Sequence, residues 1–190
     1  GSRIESLSMI LPMAYGTALM PLVGQNFGGG FFERVNAARR LSNRLAIGFG
    51  IFEILFFLAT AHWLARIFSS DPEVVRLTSR YLWIVCAGHA GMHLAAWTGM
   101  ACNAVGKPGW AAGLNIVQTF VLSIPFAWVG SVWGGYTGML AGLAVAQLLA
   151  GGLAVWVGRK AFGIEGGQDA EKRRLPGLFV LQRFFARIKR

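Results

Sequence analysis

Long apolar runs separated by short polar ones dominate this chain. Residues 6–32 carry no Asp, Glu, Lys or Arg, 45–65 carry only Glu53, and 81–106 and 108–158 carry none. A helix needs about 20 mostly apolar residues to cross a bilayer. The last window is long enough for two crossings with an uncharged turn between them. The pattern predicts an all-α, polytopic membrane helix bundle with five spans, near 7–24, 45–67, 80–105, 110–131 and 136–158.

The polar punctuation refines these elements. Pro12, Gly16 and Pro21 predict a bent first span. Its end is expected at Gly24-Gln25-Asn26, followed by the triplet Gly28-Gly29-Gly30 and four arginines, in a loop over 25–44. Ser69-Ser70-Asp71-Pro72-Glu73 reads as a helix start, with Asp71 at the N-cap and Pro72 in the first turn. Gly106-Lys107-Pro108-Gly109 and Trp133-Gly134-Gly135-Tyr136 read as tight turns. Positions 134, 138, 142, 146, 150, 154 and 158 are Gly, Gly, Gly, Ala, Ala, Ala and Gly. Such a small-residue stripe lets a neighbouring backbone approach closely, and a four-residue step winds it around the helix toward a crossed partner.

Composition agrees with the pattern. The chain is 55% hydrophobic and only 14% charged, where a soluble domain carries about a quarter. The net charge of +10 is segregated by the spans. Fourteen Lys and Arg fall on one side, counting the 25–44 stretch, Lys107 and everything after 158; the other side holds Arg3, Arg66, Arg76 and Arg80. That asymmetry is the positive-inside pattern and puts the first residue outside and the C-terminus in the cytoplasm. It also argues against a nucleic-acid partner. Trp63, Trp83, Trp110, Trp133 and Trp156 fall near span ends, as interface anchors do. Cys86 and Cys102 lie about 24 Å apart on one helix and cannot bridge. Residues 1–160 form the bundle. Residues 161–190 form a basic cytoplasmic tail, read either as a surface amphipathic helix over 178–190 or as a disordered end.

Ionisable residues inside hydrocarbon need a reason to be there. Glu53 lies about 4 Å from the middle of its span and is expected to protonate or to pair, as an ion-coupling carboxylate or as a packing group. His89 and His93 share one helix face with Cys86. Three readings stay open for them: polar lining of a water-filled cavity with proton relay, interior residues satisfied between helices, or a metal site. No fourth ligand with recognised spacing appears, so no metal or other cofactor is assigned. Asn115, Gln118 and Thr119 form a polar face on the fourth span, and Trp97 lies near the middle of the third. These four are candidates for a substrate cavity or for packing. Gly28-Gly29-Gly30 lacks the Gly-Lys-Ser/Thr of a phosphate loop, and no hydrolase or zincin motif occurs, so the chain is not read as an enzyme.

At Val23-Gly24-Gln25-Asn26-Phe27-Gly28-Gly29, followed by Arg34 and Ala37-Ala38-Arg39, the chain resembles the multidrug and toxic compound extrusion (MATE) family of antiporters. Arg3-Ile4-Glu5, Phe68 to Val75, Asn103 to Pro108, Ile124-Pro125 and Gly134 to Gly138 match in the same order. The resemblance covers residues 3–160 and implies helices eight to twelve of a twelve-helix, two-lobe transporter, a C-terminal lobe fragment without its N-terminal lobe. It implies a multi-pass inner-membrane protein that exports amphiphilic organic cations in exchange for H+ or Na+ by alternating access. It also makes Gly24, Gln25 and Asn26 a structural connection at the inner face. Some branches of the family place a coupling carboxylate in the tenth helix; the matching helix here has Cys86, His89 and His93 and no acid. Glu53, one helix earlier, matches no family motif, so Glu53, His89 and His93 are the ion-coupling candidates. Two alternatives remain: a flippase for a lipid-linked precursor, and a non-transporting remnant that serves as an assembly partner.

Overall fold

The computed structural model describes residues 5, 6 and 8–162, so the basic tail beyond 162 lies outside the described residues. The chain runs through α1 (Ile10–Gly28), α2 (Phe32–Phe68), α3 (Pro72–Val85), a 3₁₀ turn (Cys86–Gly88), α4 (His89–Ala104), α5 (Pro108–Ile116), a π-helical segment (Val117–Ser123) and α6 (Ile124–Phe162). The fold is an all-α membrane bundle. Phe32–Phe68 and Pro108–Phe162 are the stretches long and apolar enough to cross a bilayer by length and composition.

The expected start at Asp71 is present: its carboxylate accepts the Glu73 backbone N–H at 2.8 Å, and Pro72 opens the helix. The expected loop at 25–44 is not. Helix α1 runs through Gly24, Gln25 and Asn26 to Gly28, and α2 already begins at Phe32. The turn is confined to 29–31, where Gly30 takes φ 79°, a left-handed conformation that suits glycine. Ala37, Ala38, Arg39, Arg40 and Leu41 are strong helix formers, so the arginines ride on the first turns of α2 rather than on a loop. At 37 residues, α2 is about 55 Å long and outreaches a hydrocarbon core of about 30 Å.

The third predicted span is α3 and α4 joined by the 3₁₀ turn at Cys86–Gly88. The fourth is α5, the π-helical segment and the first arm of α6. Pro125 follows directly on that segment. It has no N–H to offer and its ring crowds the carbonyl of residue 121, which favours a widened turn there.

Helix α6 is a hairpin. Gly134 and Gly135 leave helical geometry, Gly135 with φ 56° and ψ −139°, and the arms 124–133 and 136–162 lie against each other. A Cβ on Gly138 would stand 2.1 Å from the Gly130 carbonyl oxygen, and one on Gly142 would stand 2.1 Å from that of Phe126. Further along the stripe Ala146, Ala150 and Ala154 are fully buried, and Gly158 meets the Arg39 side chain. The stripe thus changes partner as it winds. An equally close crossing, with α4, uses positions beside it: a Cβ on Gly91 would meet the Gln147 carbonyl oxygen at 2.1 Å, and one on Gly151 would meet the Gly91 Cα at 2.5 Å.

Among the described residues three apolar clusters hold the bundle. One gathers Leu19, Val23, Val35, Trp97, Ala101 and Phe162 among others; the second contains Phe57, Ala61, Leu82 and Cys86; the third joins Ala95, Leu114, Ala150 and Ala154. Asn36 donates to the Phe162 carbonyl at 3.2 Å and Lys107 to that of Ala161 at 3.0 Å, which satisfies carbonyls left open at the end of α6. These contacts gather Arg34, Arg39, Arg40, Arg44, Lys107, Arg159 and Lys160 toward one end of the bundle.

Gly91→Ala is expected to lower the unfolding free energy of the full-length protein by about 1–3 kcal/mol, because its Cβ would strike backbone that cannot turn away. Gly99→Ala, on the same helix with open space around it, should be neutral or slightly stabilising. Thermal unfolding in detergent checks the contrast; equal midpoints for the two variants would refute it.

Candidate functional site

Between the first two of these apolar clusters lies a layer of ionisable side chains. Along α2 the order is Ala46, Glu53, Phe57; along α3 and α4 it is Leu82, His89, His93, Trp97. Glu53, His89 and His93 are almost completely buried. The Oε2 of Glu53 lies 2.9 Å from His89 Nδ1 and 3.0 Å from His93 Nε2. The helices reach this spacing because Gly50, one turn from Glu53, leaves room for Ala90: a Cβ at Gly50 would sit 2.5 Å from the Ala90 Cβ.

Two further groups extend the layer. His89 Nε2 lies 3.3 Å from Oε1 of Glu5, and the Tyr81 hydroxyl donates to Glu5 Oε2. Glu5 has 19% of its side chain exposed, against 1% for His89. Both ring nitrogens of His89 face carboxylate oxygens. A neutral imidazole has one N–H, so the arrangement needs either an imidazolium between two carboxylates or a neutral ring with one carboxyl protonated. Both forms keep the same heavy-atom positions. A proton can therefore shift between Glu5, His89 and Glu53 without a helix moving. Oε1 of Glu53 is buried and has no hydrogen-bond partner among the described residues, which leaves it open to carry a proton.

All three ion-coupling candidates thus come together, and the carboxylate absent from the α4 helix is supplied by α2. Sequence reasoning missed Glu5 and Tyr81. The signal for Glu5 was its place at the head of the uncharged run 6–32. Cys86 leaves the histidine face: the 3₁₀ turn points its thiol at the Trp83 carbonyl, 3.3 Å away. Among the described residues no group of three or more His, Cys, Asp or Glu is arranged to hold a metal ion.

The four substrate-cavity candidates do not share one site. Trp97 is buried, donates its indole N–H to the Pro12 carbonyl at 3.0 Å and stacks on His93 with ring centroids 5.7 Å apart. Asn115 and Thr119 are exposed and Gln118 is half-buried, at the widened turn before Pro125. The periodicity placed the three on one stretch, but that stretch lies toward the surface while Trp97 is buried. Gly24, Gln25 and Asn26 close α1: a Cβ on Gly24 would stand 3.2 Å from the Ala104 carbonyl oxygen, the Gln25 carbonyl accepts from Gly29 N–H, and Asn26 donates to the Leu22 carbonyl.

A bundle of apolar helices built around a carboxylate–histidine layer has the make-up of a membrane transport protein. The model of the MatE family matches residues 1–129, and the chain belongs to that family, whose members are membrane transporters and not enzymes. It is 30% identical over 154 residues to the FAD transporter of Shewanella oneidensis, covering 80% of this chain and 33% of that protein. To the probable multidrug resistance protein NorM of Bacillus subtilis it is 27% identical over 152 residues, 77% of this chain and 34% of the relative. The Vibrio cholerae MATE transporter VcmN in its bent form aligns with a TM-score of 0.82 at 25% identity, over 85% of this chain and 37% of that one. The chain spans about a third of the length of the curated relatives it matches.

Glu53→Ala removes the buried partner of two imidazole nitrogens and is expected to cost about 1–3 kcal/mol for each nitrogen left without a partner. Glu53→Gln keeps an acceptor oxygen and should cost less. Unfolding midpoints of the full-length protein should fall in the order native, Glu53→Gln, Glu53→Ala; the reverse order of the two variants would contradict the assignment.

Proposed function

We propose that the chain is part of a proton-coupled antiporter that exports amphiphilic organic cations, working by alternating access against a second lobe that the described residues do not include. The observation that carries the reading is the buried Glu53 carboxylate shared by His89 and His93. The two contacts to Oε2 are nitrogens, whereas hard cations such as Na+ call for several oxygen ligands. The layer therefore favours H+ over Na+ as the coupling ion. The exposed polar stretch at Asn115, Gln118 and Thr119 supplies neutral groups to a substrate path, and the basic end faces the cytoplasm. The partners are the bilayer, the second lobe and small organic molecules.

In proteoliposomes of the full-length protein, an outward-directed test with a cationic dye and an imposed pH gradient checks this. Glu53→Gln and the double variant His89→Ala/His93→Ala should each slow dye export by at least about tenfold. Full export in both variants would remove these residues from coupling. One relative is named for FAD transport, so FAD belongs in the same assay; export of FAD in place of the dye would replace the organic-cation class with an anionic dinucleotide.

A further inference from the structure

The proton chain has one open side and one closed side. From Glu53 it leads through His89 to Glu5, the partly exposed member. In the other direction it passes to His93 and ends against the flat face of Trp97. Trp97 also lines a pocket of about 20 Å³, whose wall is mostly apolar but includes Arg39, Ser42, Asn43 and Thr98. That volume holds about one water molecule, and these four side chains are the groups that could bond it. Arg39 stands in the arginine-rich part of α2, and the Tyr15 hydroxyl, 2.9 Å from Ser42 Oγ, adds a polar group beside the indole.

Trp97 is held in this position twice, by its N–H on the Pro12 carbonyl and by its stacking on His93. The indole has no group on its flat face that can pass a proton, so it interrupts an otherwise polar column. We propose that Trp97 is the partition between two proton-accessible halves of this lobe, and that the pocket behind it is the water site through which Glu53 exchanges protons with the arginine-rich end. The proposal rests on the reading of Glu53 as a proton carrier.

The transfers balance on both sides. From the Glu5 side, the Glu5 carboxyl gives a proton to His89 Nε2 as the Nδ1 proton passes to Glu53, leaving a Glu5 carboxylate and a neutral His89. Toward the arginine-rich end, with Trp97 turned aside, the Glu53 carboxylic acid gives its proton to His93 Nε2 as the His93 Nδ1 proton passes to the pocket water. That leaves a carboxylate and a hydronium that passes on to bulk. Besides the members of the chain, Tyr81 from α3 meets this column through Glu5, and the Cys86 thiol beside it is turned to the Trp83 carbonyl. Arg39 is the charged group at the pocket.

The test needs no transported substrate. Full-length protein is reconstituted in vesicles holding a pH-sensitive dye, and the decay of an imposed pH gradient is followed with valinomycin and K+ clamping the potential. Trp97→Ala should speed the decay by about tenfold, and Trp97→Phe, which keeps a ring but loses the N–H tie to Pro12, should fall between. Adding Glu53→Gln to either should return the leak to the native rate. An unchanged leak in monodisperse Trp97→Phe protein would overturn the proposal, and so would a leak that survives Glu53→Gln. Because the leak is read without dye export, loss of the antiport reading and loss of the partition give different results.

Discussion

A carboxylate in the middle of a membrane-spanning helix has to be neutralised or partnered, because hydrocarbon offers no water to solvate it. Glu53 meets that demand with two histidines from α4, and one of those histidines leans on Glu5 from the segment ahead of α1. Three parts of the chain are thereby tied at one level of the bundle. The tie depends on backbone proximity, since imidazole and carboxylate meet at 2.9–3.0 Å only because Gly50 lets α2 close on Ala90. Without a side chain at position 50, the polar layer and the helix packing form one arrangement.

Much of the architecture could be read along the chain. Charge-free windows located the spans, Asp71-Pro72-Glu73 located a helix start, and Gly134-Gly135 located a reversal, because each is a local signal with a local cause. The inner end of α2 was harder. Glycines and arginines there suggested a loop, while the intrinsic preference of Ala37 to Leu41 carried the helix back to Phe32. Seven positions announced the small-residue stripe, yet an equally close crossing uses Gly91, Gly151 and the backbone of Gln147, off the stripe. Periodicity marks which residues share a face. It does not say what the face meets.

The same limit explains the site. Glu53, His89 and His93 were each singled out for being ionisable inside a span, and that reason is physical and local. Their convergence is a matter of helix rotation and crossing, which no single segment encodes. Glu5 was overlooked because it stands at the edge of the first apolar run, where a carboxylate looks like an ordinary solvated flank. Trp97 was correctly marked as the tryptophan away from the span ends. Its partners, the Pro12 carbonyl and the His93 ring, come from distant turns and make it an interior element rather than the wall of an open cavity.

The α6 hairpin has a consequence for how the protein reaches the membrane. Its arms interlock through glycines at matching distances from the reversal, Gly130 with Gly138 and Phe126 with Gly142, and its tip, Trp133 to Tyr136, carries no charge. Passing a charged loop across hydrocarbon is the costly part of inserting a helix pair. Here that step is absent. The two arms can cross together as one uncharged pair, with Arg159 and Lys160 at the end opposite the tip.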